Sequence, residues 1–258
     1  MNNVEKFTLG VLGTSAVAAG VLAARGKKRR AADTQKPYYK NYHKPSGFYE
    51  AHVKRPLDCY LSSMALVLLS PLLCVVSVAV KKNLGSPVLF EQGRPGKDGK
   101  IFKLYKFRTM TDAKDASGKP LSDADRLTPF GEKLRSTSID ELPELINIAE
   151  GDMAIVGPRP WLIEYLPYYT SEEMHRHDVL PGLTGLAQIT GRNEISWNER
   201  LKCDLLYVKN ISFVNDAKII FRTIGEVLSR DHVSVNSEDT ETWFDKEREV
   251  STGSKVSD

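Results

Sequence analysis

Apolar residues fall into three patterns along the chain. Continuous runs occupy 7–24 and 60–80, an alternating stretch covers 100–110, and helical spacing marks Leu142, Leu145, Ile146 and Ile148, then Ile219, Ile220, Phe221, Ile224 and Val227. The alternation predicts a half-buried strand. With 85–92 before it and the turn Asp98-Gly99 between, it predicts a hairpin. Its basic side, read as Lys103 and Arg108 with Arg94 in the loop, faces phosphate, lipid or plain solvent. The spacing around Leu145 predicts a short helix, and that at 213–229 an amphipathic one that lies on a membrane or packs into a core.

Pro143 restricts where the short helix begins. Without an N–H it fits only among the first residues, whose amides have no intrahelical acceptor. Asp140 and Glu141 therefore sit at the helix start, where free amides and the dipole keep a carboxylate ionised with a lowered pKa and also attract phosphate. Alone, such a pair reads as an ordinary N-cap. Twenty residues on, Gly157-Pro-Arg-Pro160 holds Arg159 between two prolines, a stiff mount for a guanidinium suited to bidentate phosphate binding. Together they resemble a phosphoryl-transfer site.

The run at 60–80, with its flanks, is long enough to cross a bilayer as one straight helix of about 30 Å. Ser70-Pro71 stands in its middle, and both ends are basic: Lys54 and Arg55, then Lys81 and Lys82. A mid-helix proline breaks the hydrogen-bond ladder, and matching basic ends suit a segment that enters and returns on one side. The expected form is a re-entrant helix–break–helix with arms of about ten residues, roughly 15 Å each; a kinked spanning helix is the alternative. The run at 7–24 is followed, not preceded, by its basic cluster, so it does not read as a cleaved leader. It spans with its N-terminus outside, or lies on the surface.

Between these elements, 111–128 is polar and predicts a loop or short surface helix. The stretch 172–179 predicts a polar helix, whose His175 and His177 are two apart and point to different sides, unlike a metal pair. Residues 181–193 are a glycine-rich loop ending at Arg192, 197–208 is helical, and the tail after 231 is polar and mobile.

Composition narrows the class. A mean hydropathy of −0.32 with 27% charged residues excludes a polytopic membrane protein. Cys59, Cys74 and Cys203 form no disulfide framework or metal spacing, which fits a reducing compartment. Between Arg25 and Arg55, ten Lys/Arg face Asp33 and Glu50, a local +8 in a chain of net +3. Tyr38, Tyr39, Tyr42, Phe48 and Tyr49 are mixed in, which suits an anionic lipid surface better than nucleic acid.

From 54 to 231 the motifs Lys54-Arg55-x-x-Asp58, Ser70-Pro71, Phe102-Lys-Leu-Tyr-Lys-Phe-Arg-Thr-Met110, Asp140-Glu-Leu-Pro143, Gly151-Asp-Met153, Val156-Gly-Pro-Arg-Pro160, Pro181-Gly-Leu-Thr-Gly185 and Gly191-Arg-Asn193 with Ser196-Trp197 follow one another in order. In these the chain resembles the small monotopic polyprenyl-phosphate phosphoglycosyl transferases of the bacterial sugar transferase family. The resemblance implies an enzyme (EC 2.7.8.-) that moves a sugar-1-phosphate from a UDP-sugar to a polyprenyl phosphate, releasing UMP with Mg²⁺ as cofactor. Its setting would be the cytoplasmic face of the cell membrane, at the first membrane step of glycoconjugate or polysaccharide biosynthesis. By the same resemblance Asp140 is the nucleophile that becomes a covalent phosphosugar-aspartate and lies near the metal. Glu141 acts on the incoming lipid phosphate as a base or proton manager, and Arg159 holds phosphate. Arg192, Arg135 and Arg108 are further candidates for phosphate or substrate contact. The stretch 191–197 looks like members using N-acetylated sugars; the alternatives are UDP-glucose or UDP-galactose, or a catalytically idle scaffold for glycan enzymes. Downstream glycosyltransferases are candidate partners and nucleic acid is not. The first fifty residues depart from the small-family pattern.

The expected fold class is α+β and mainly helical: a re-entrant membrane helix plus a small cytoplasmic catalytic domain with a β-hairpin and interfacial amphipathic helices. The expected divisions are an N-terminal apolar segment (1–30), a linker (31–53), the membrane helix (54–82), the catalytic domain (83–230) and a tail (231–258).

Overall fold

The structure, a computed structural model, describes residues 41, 43–191, 195–229 and 243–253; the expectations for the run at 7–24 and for Arg192 fall outside the described residues. A π-helical turn, Tyr49–Val53, leads into α1 (Lys54–Leu68), and α2 (Ser70–Leu84) begins one residue later at an angle of 65°. The break lies at Leu69. Pro71 sits in the first turn of α2, where its missing N–H leaves no bond unmade, and Ser70 Oγ donates to Val67 O at 2.8 Å across the corner. Each arm has 15 residues, longer than the expected ten, because the polar flanks are helical too. Among the described residues no single helix is long and apolar enough to cross a membrane; only this bent pair passes that test, taken together.

α2 buries Leu73, Val76, Val80 and Leu84 against Val88, Phe107 and Leu134. These fully buried aliphatic side chains each contribute about 1.5–3 kcal/mol. On the outer side of the pair, Tyr60, Met64, Val67, Leu68, Leu72, Val75 and Val78 are exposed.

The hairpin forms as expected, β1 (Leu89–Pro95) antiparallel to β2 (Ile101–Phe107), with Leu89 opposite Phe107 and Pro95 opposite Ile101. Strand parity corrects one expectation. Phe102 and Leu104 point inward, so Lys106 shares their face, whereas Lys103 points out to Glu91 at 3.0 Å. Lys103 and Arg108 therefore form no common basic side, and Arg108 is buried.

Two short helices follow, α3 (Asp123–Arg126) and α4 (Pro129–Ser136), then α5 (Glu144–Glu150). β3 (Ala154–Val156) pairs in parallel with β4 (Gly182–Thr184), a ladder that the glycine-rich reading did not anticipate. The crossing needs glycine, since a Cβ on Gly182 would lie 2.1 Å from Gly157 N. A 3₁₀ helix, Glu173–His177, lies between these strands, and among the described residues no His, Cys, Asp and Glu group is placed to hold a metal alone.

α6 (Leu186–Thr190), α7 (Trp197–Lys209) and α8 (Phe213–Ser229) complete the domain, α7 beginning with a Ser196/Glu199 capping box. α8 buries Ile219 beside Val156, Ile189, Tyr207 and Ile211, while Phe213, Val214, Phe221, Ile224 and Val227 stay exposed. Asp216 of α8 accepts from Lys54 at 2.6 Å, Tyr49 at 2.7 Å and Tyr207 at 2.8 Å, which ties α8 to the start of α1. The tail is not uniformly polar and loose: α9 (Phe244–Gly253) docks on the domain with Phe244 fully buried.

Candidate active site

α4 delivers the chain to the site. Thr128 caps it by accepting from Gly131 N at 3.1 Å, and Pro129 occupies its first turn. Past its end, Ser138 adopts φ +54° and reverses direction into a 3₁₀ turn, Ile139–Glu141. Ile139 and Leu142 pack toward the α2 cluster. Pro143 then caps α5, so the carboxylates precede the α-helix proper instead of lying in its first turn.

α5 is latched on three sides. The Asn147 amide completes the edge of β2, accepting from Tyr105 N at 3.0 Å and donating to Lys103 O at 2.7 Å. At the other end Gly151, at φ +104°, closes the helix, and Arg55 of α1 donates to Ile148 O at 3.0 Å and Met153 O at 3.2 Å. A Cβ on Gly151 would stand 2.9 Å from that guanidinium. The first arm of the bent pair and the site helix are thus bolted directly together.

The latch brings Lys106 to Glu141 at 2.6 Å and Glu144 at 3.3 Å; Arg159 reaches Glu141 at 2.7 Å. Glu141 Oε1 takes both cations. Asp140, 8% exposed, makes no hydrogen bond or ion pair among the described residues. The neighbouring acids consequently behave differently. Burial raises Asp140 to about 6, helped by the charge on Glu141 and opposed by Lys106, Arg135 and Arg159. Burial pushes Glu141 the same way, but Arg159 and Lys106 outweigh it and hold Glu141 well below the usual carboxylate range. Glu144 is raised to about 7 by burial and by Glu141, against Lys106. The expected lowering at a helix start thus applies to Glu141, through cations and not the dipole; for Asp140 the sign is reversed.

The arginine loop is held by its carbonyls. Arg176 donates to Arg159 O at 2.6 Å while Asp204 neutralises it at 2.8 Å in the interior. From the hairpin, Arg94 donates to Pro160 O at 3.3 Å and to Gln92 at 2.7 Å; burial and the neighbouring Arg159 lower it to about 10. Arg135 donates to Thr109 Oγ1 at 3.1 Å and lies close enough to Asp140 to favour its charge. Arg108 is engaged by Met110 O at 2.8 Å and Asp112 at 2.8 Å, while its Nη1 is buried without a hydrogen-bond partner.

Four functional side chains escaped sequence reasoning. Lys106 was findable from parity with Phe102 and Leu104, and Glu144 from its place three residues after Glu141. Arg176 and Asp204, 28 positions apart, carried no local signal.

A cluster of three acids, two buried and Glu141 half-buried, with cations mounted on stiff supports and one acid left unpaired, is a site where a polyanion can meet held cations. Residues 49–230 match the family model described as bacterial sugar transferase. The chain belongs to the bacterial sugar transferase family. It is 44% identical over 200 residues to the uncharacterized sugar transferase EpsL of Bacillus subtilis, covering 78% of this chain and 99% of that protein. It is 44% identical over 181 residues to the UDP-glucose:undecaprenyl-phosphate glucose-1-phosphate transferase of Klebsiella pneumoniae, covering 66% of this chain and 39% of the relative. To the undecaprenyl-phosphate galactose phosphotransferase of Salmonella typhimurium it is 36% identical over 196 residues, covering 69% and 41%. The chain therefore spans less than half the length of the latter two, and the family match includes every site residue described above.

Proposed function

We propose that the chain is a phosphoglycosyl transferase that moves a sugar-1-phosphate from a UDP-sugar to undecaprenyl or a similar polyprenyl phosphate at the cytoplasmic face of the cell membrane. The observation that carries this reading is the contrast within one dipeptide: Asp140 unpaired, Glu141 gripped by Lys106 and Arg159. Asp140 Oδ attacks the phosphorus bearing the sugar, a new P–O bond forms, and the bridging P–O bond breaks so that UMP leaves with the electron pair. Arg159 and Lys106 stabilise charge on the transferring phosphoryl oxygens. An oxygen of the lipid phosphate then attacks the same phosphorus and releases Asp140. An arriving phosphate competes with Glu141 for its cations. Freed of them, Glu141 becomes basic enough to take a proton from the acceptor.

Mg²⁺ fits the donor set. It takes one or two carboxylates and completes its shell with water and substrate phosphates, and Asp140 offers hard oxygens without competing partners. When bound, it would neutralise diphosphate charge beside Asp140.

The bent pair α1–α2 is the re-entrant element, dipping into one leaflet with α8 lying along the interface. Their exposed faces, with Val67 at 68% and Phe221 at 74%, present large apolar side chains that a lipid surface would cover. A shallow seat places the site where a soluble nucleotide meets a lipid phosphate.

For the donor, the named relatives favour UDP-glucose or UDP-galactose; an N-acetylated sugar rests on the stretch 191–197 alone. UMP release across a panel of UDP-sugars decides between them. For the reaction itself, Asp140→Asn loses the radiolabelled phosphosugar-enzyme and UMP release. Retained turnover in that variant removes the assigned nucleophile.

A further inference from the structure

Two segments outside the matched residues 49–230 converge on the same short 3₁₀ helix. Before the match, Asn41 donates to Asp178 O at 3.0 Å and to Asp98 at 2.7 Å. Beyond it, α9 inserts Phe244 among Tyr165, Tyr169 and Trp197, with ring centroids 5.4, 5.1 and 5.2 Å away. Arg248, one turn on, pairs with Glu173 and donates to Asn198 at 3.1 Å.

What these segments grip is the support of Arg159. Glu173–His177 carries Arg176, whose guanidinium holds the Arg159 carbonyl at 2.6 Å. Trp197, against Phe244, also packs on Trp161 at 4.8 Å between centroids, and Trp161 lies beneath the Arg159 guanidinium at 6.0 Å. From α9 to Arg159 there are thus two routes of direct contact. One runs from Phe244 through Tyr169 to Arg176, 5.5 Å over that ring, the other from Phe244 through Trp197 to Trp161, while Arg248 pins Glu173 on the helix that carries Arg176. The face of α9 that carries Phe244 and Arg248 is spent on them.

We propose that α9 is a positioning element for Arg159, an addition to the family domain that sets how firmly the phosphate-holding loop is presented to the UDP-sugar. Phe244 and Arg248 are its working residues; neither contacts the reacting groups. The inference rests on reading Arg159 as the phosphate-holding residue. Loosening the back of the loop lets the guanidinium wander by fractions of an ångström, which weakens a bidentate contact that depends on orientation.

The test uses the full chain in lipid nanodiscs, with UMP release measured against whichever of UDP-glucose and UDP-galactose turns over. Phe244→Ala and Arg248→Ala are each expected to raise KM for the UDP-sugar about tenfold, a loss typical of a misplaced binding group. KM for the polyprenyl phosphate stays unchanged, and Phe244→Leu restores most of the loss. A structural role alone would lower the melting temperature and the active fraction but leave KM untouched. An unaltered UDP-sugar KM in folded Arg248→Ala overturns the proposal, even where Phe244→Ala fails to fold. Arg159→Ala separates the two levels. If it leaves KM unchanged, the phosphate-holding reading fails and this inference with it; if it raises KM while the α9 variants do not, only the role of α9 fails.

Discussion

Around Asp140 the chain buries charges, and along α1, α2 and α8 it exposes large apolar side chains. Each region inverts the usual partition, and each does so at a cost. Taking Asp140, Glu144 and Lys106 out of water is unfavourable. Leaving Val67, Leu68 and Phe221 in water is equally so. Set side by side, the regions are what the proposed function asks for, a diphosphate to meet the charges on one side and a lipid leaflet to cover the apolar faces on the other. Arg55 joins the two, since its guanidinium, at the base of α1, closes the C-terminus of the helix that carries Glu144.

The comparison breaks most severely at Glu141. Glu141→Gln leaves Arg159 without its anion and Lys106 with Glu144 alone, a loss of about 1–3 kcal/mol for a half-buried charged contact. Its melting temperature is expected to fall sharply in neutral buffer, and UMP release with it. If both stay native, the clamp is not the organising contact of the site. On the other side of the comparison, Phe221→Glu with Ile224→Glu removes apolar area and adds charge where lipid is expected. Flotation with anionic vesicles should drop about tenfold or more while the melting temperature in detergent holds, because these side chains touch little of the protein. Unchanged flotation would detach α8 from the interface.

Two finer effects concern Asp140. Its folded pKa, about 6, exceeds the unfolded value of 3.8, so the protonated form favours the fold. That contribution is complete below about 3.8 and lost as pH rises through about 6. Asp140→Asn should consequently stabilise the protein at pH 7 by about 2 kcal/mol, seen as a higher melting temperature, with no gain at pH 3.5. A lower melting temperature would mean that the carboxylate is paired after all. With Asp140 as the proposed nucleophile, the same titration predicts that the first chemical step slows as pH falls through about 6, since only an ionised carboxylate attacks. A rate independent of pH between 5 and 7 would contradict it.

Much of this was legible in residue order. Apolar alternation and the Asp98-Gly99 turn pointed to the hairpin, Ser70-Pro71 to the bend, and Pro143 to a helix start near Asp140 and Glu141. The failures have physical reasons. Helix arms were underestimated because hydropathy ends before helicity does at Lys54 and Lys81. Lys106 hid within a strand whose basic residues were assigned to one side without counting parity. The inverted pKa of Asp140 follows from burial by elements far away in sequence, and the Arg176–Asp204 pair exists only once α7 packs on the 3₁₀ helix. Phe244 carried no periodic pattern: a lone Trp243-Phe244 pair in a polar tail becomes informative only beside Trp197 and Tyr169.

The most direct test of the account mixes enzyme with UDP-sugar in the absence of any polyprenyl phosphate and follows UMP. In the proposed mechanism Asp140 attacks before the acceptor arrives, so a burst of about one UMP per enzyme is predicted, with the sugar phosphate retained on the protein until lipid is added. Release of UMP only after the acceptor is supplied, with no label on the protein, would mean a direct transfer between the substrates and would contradict it.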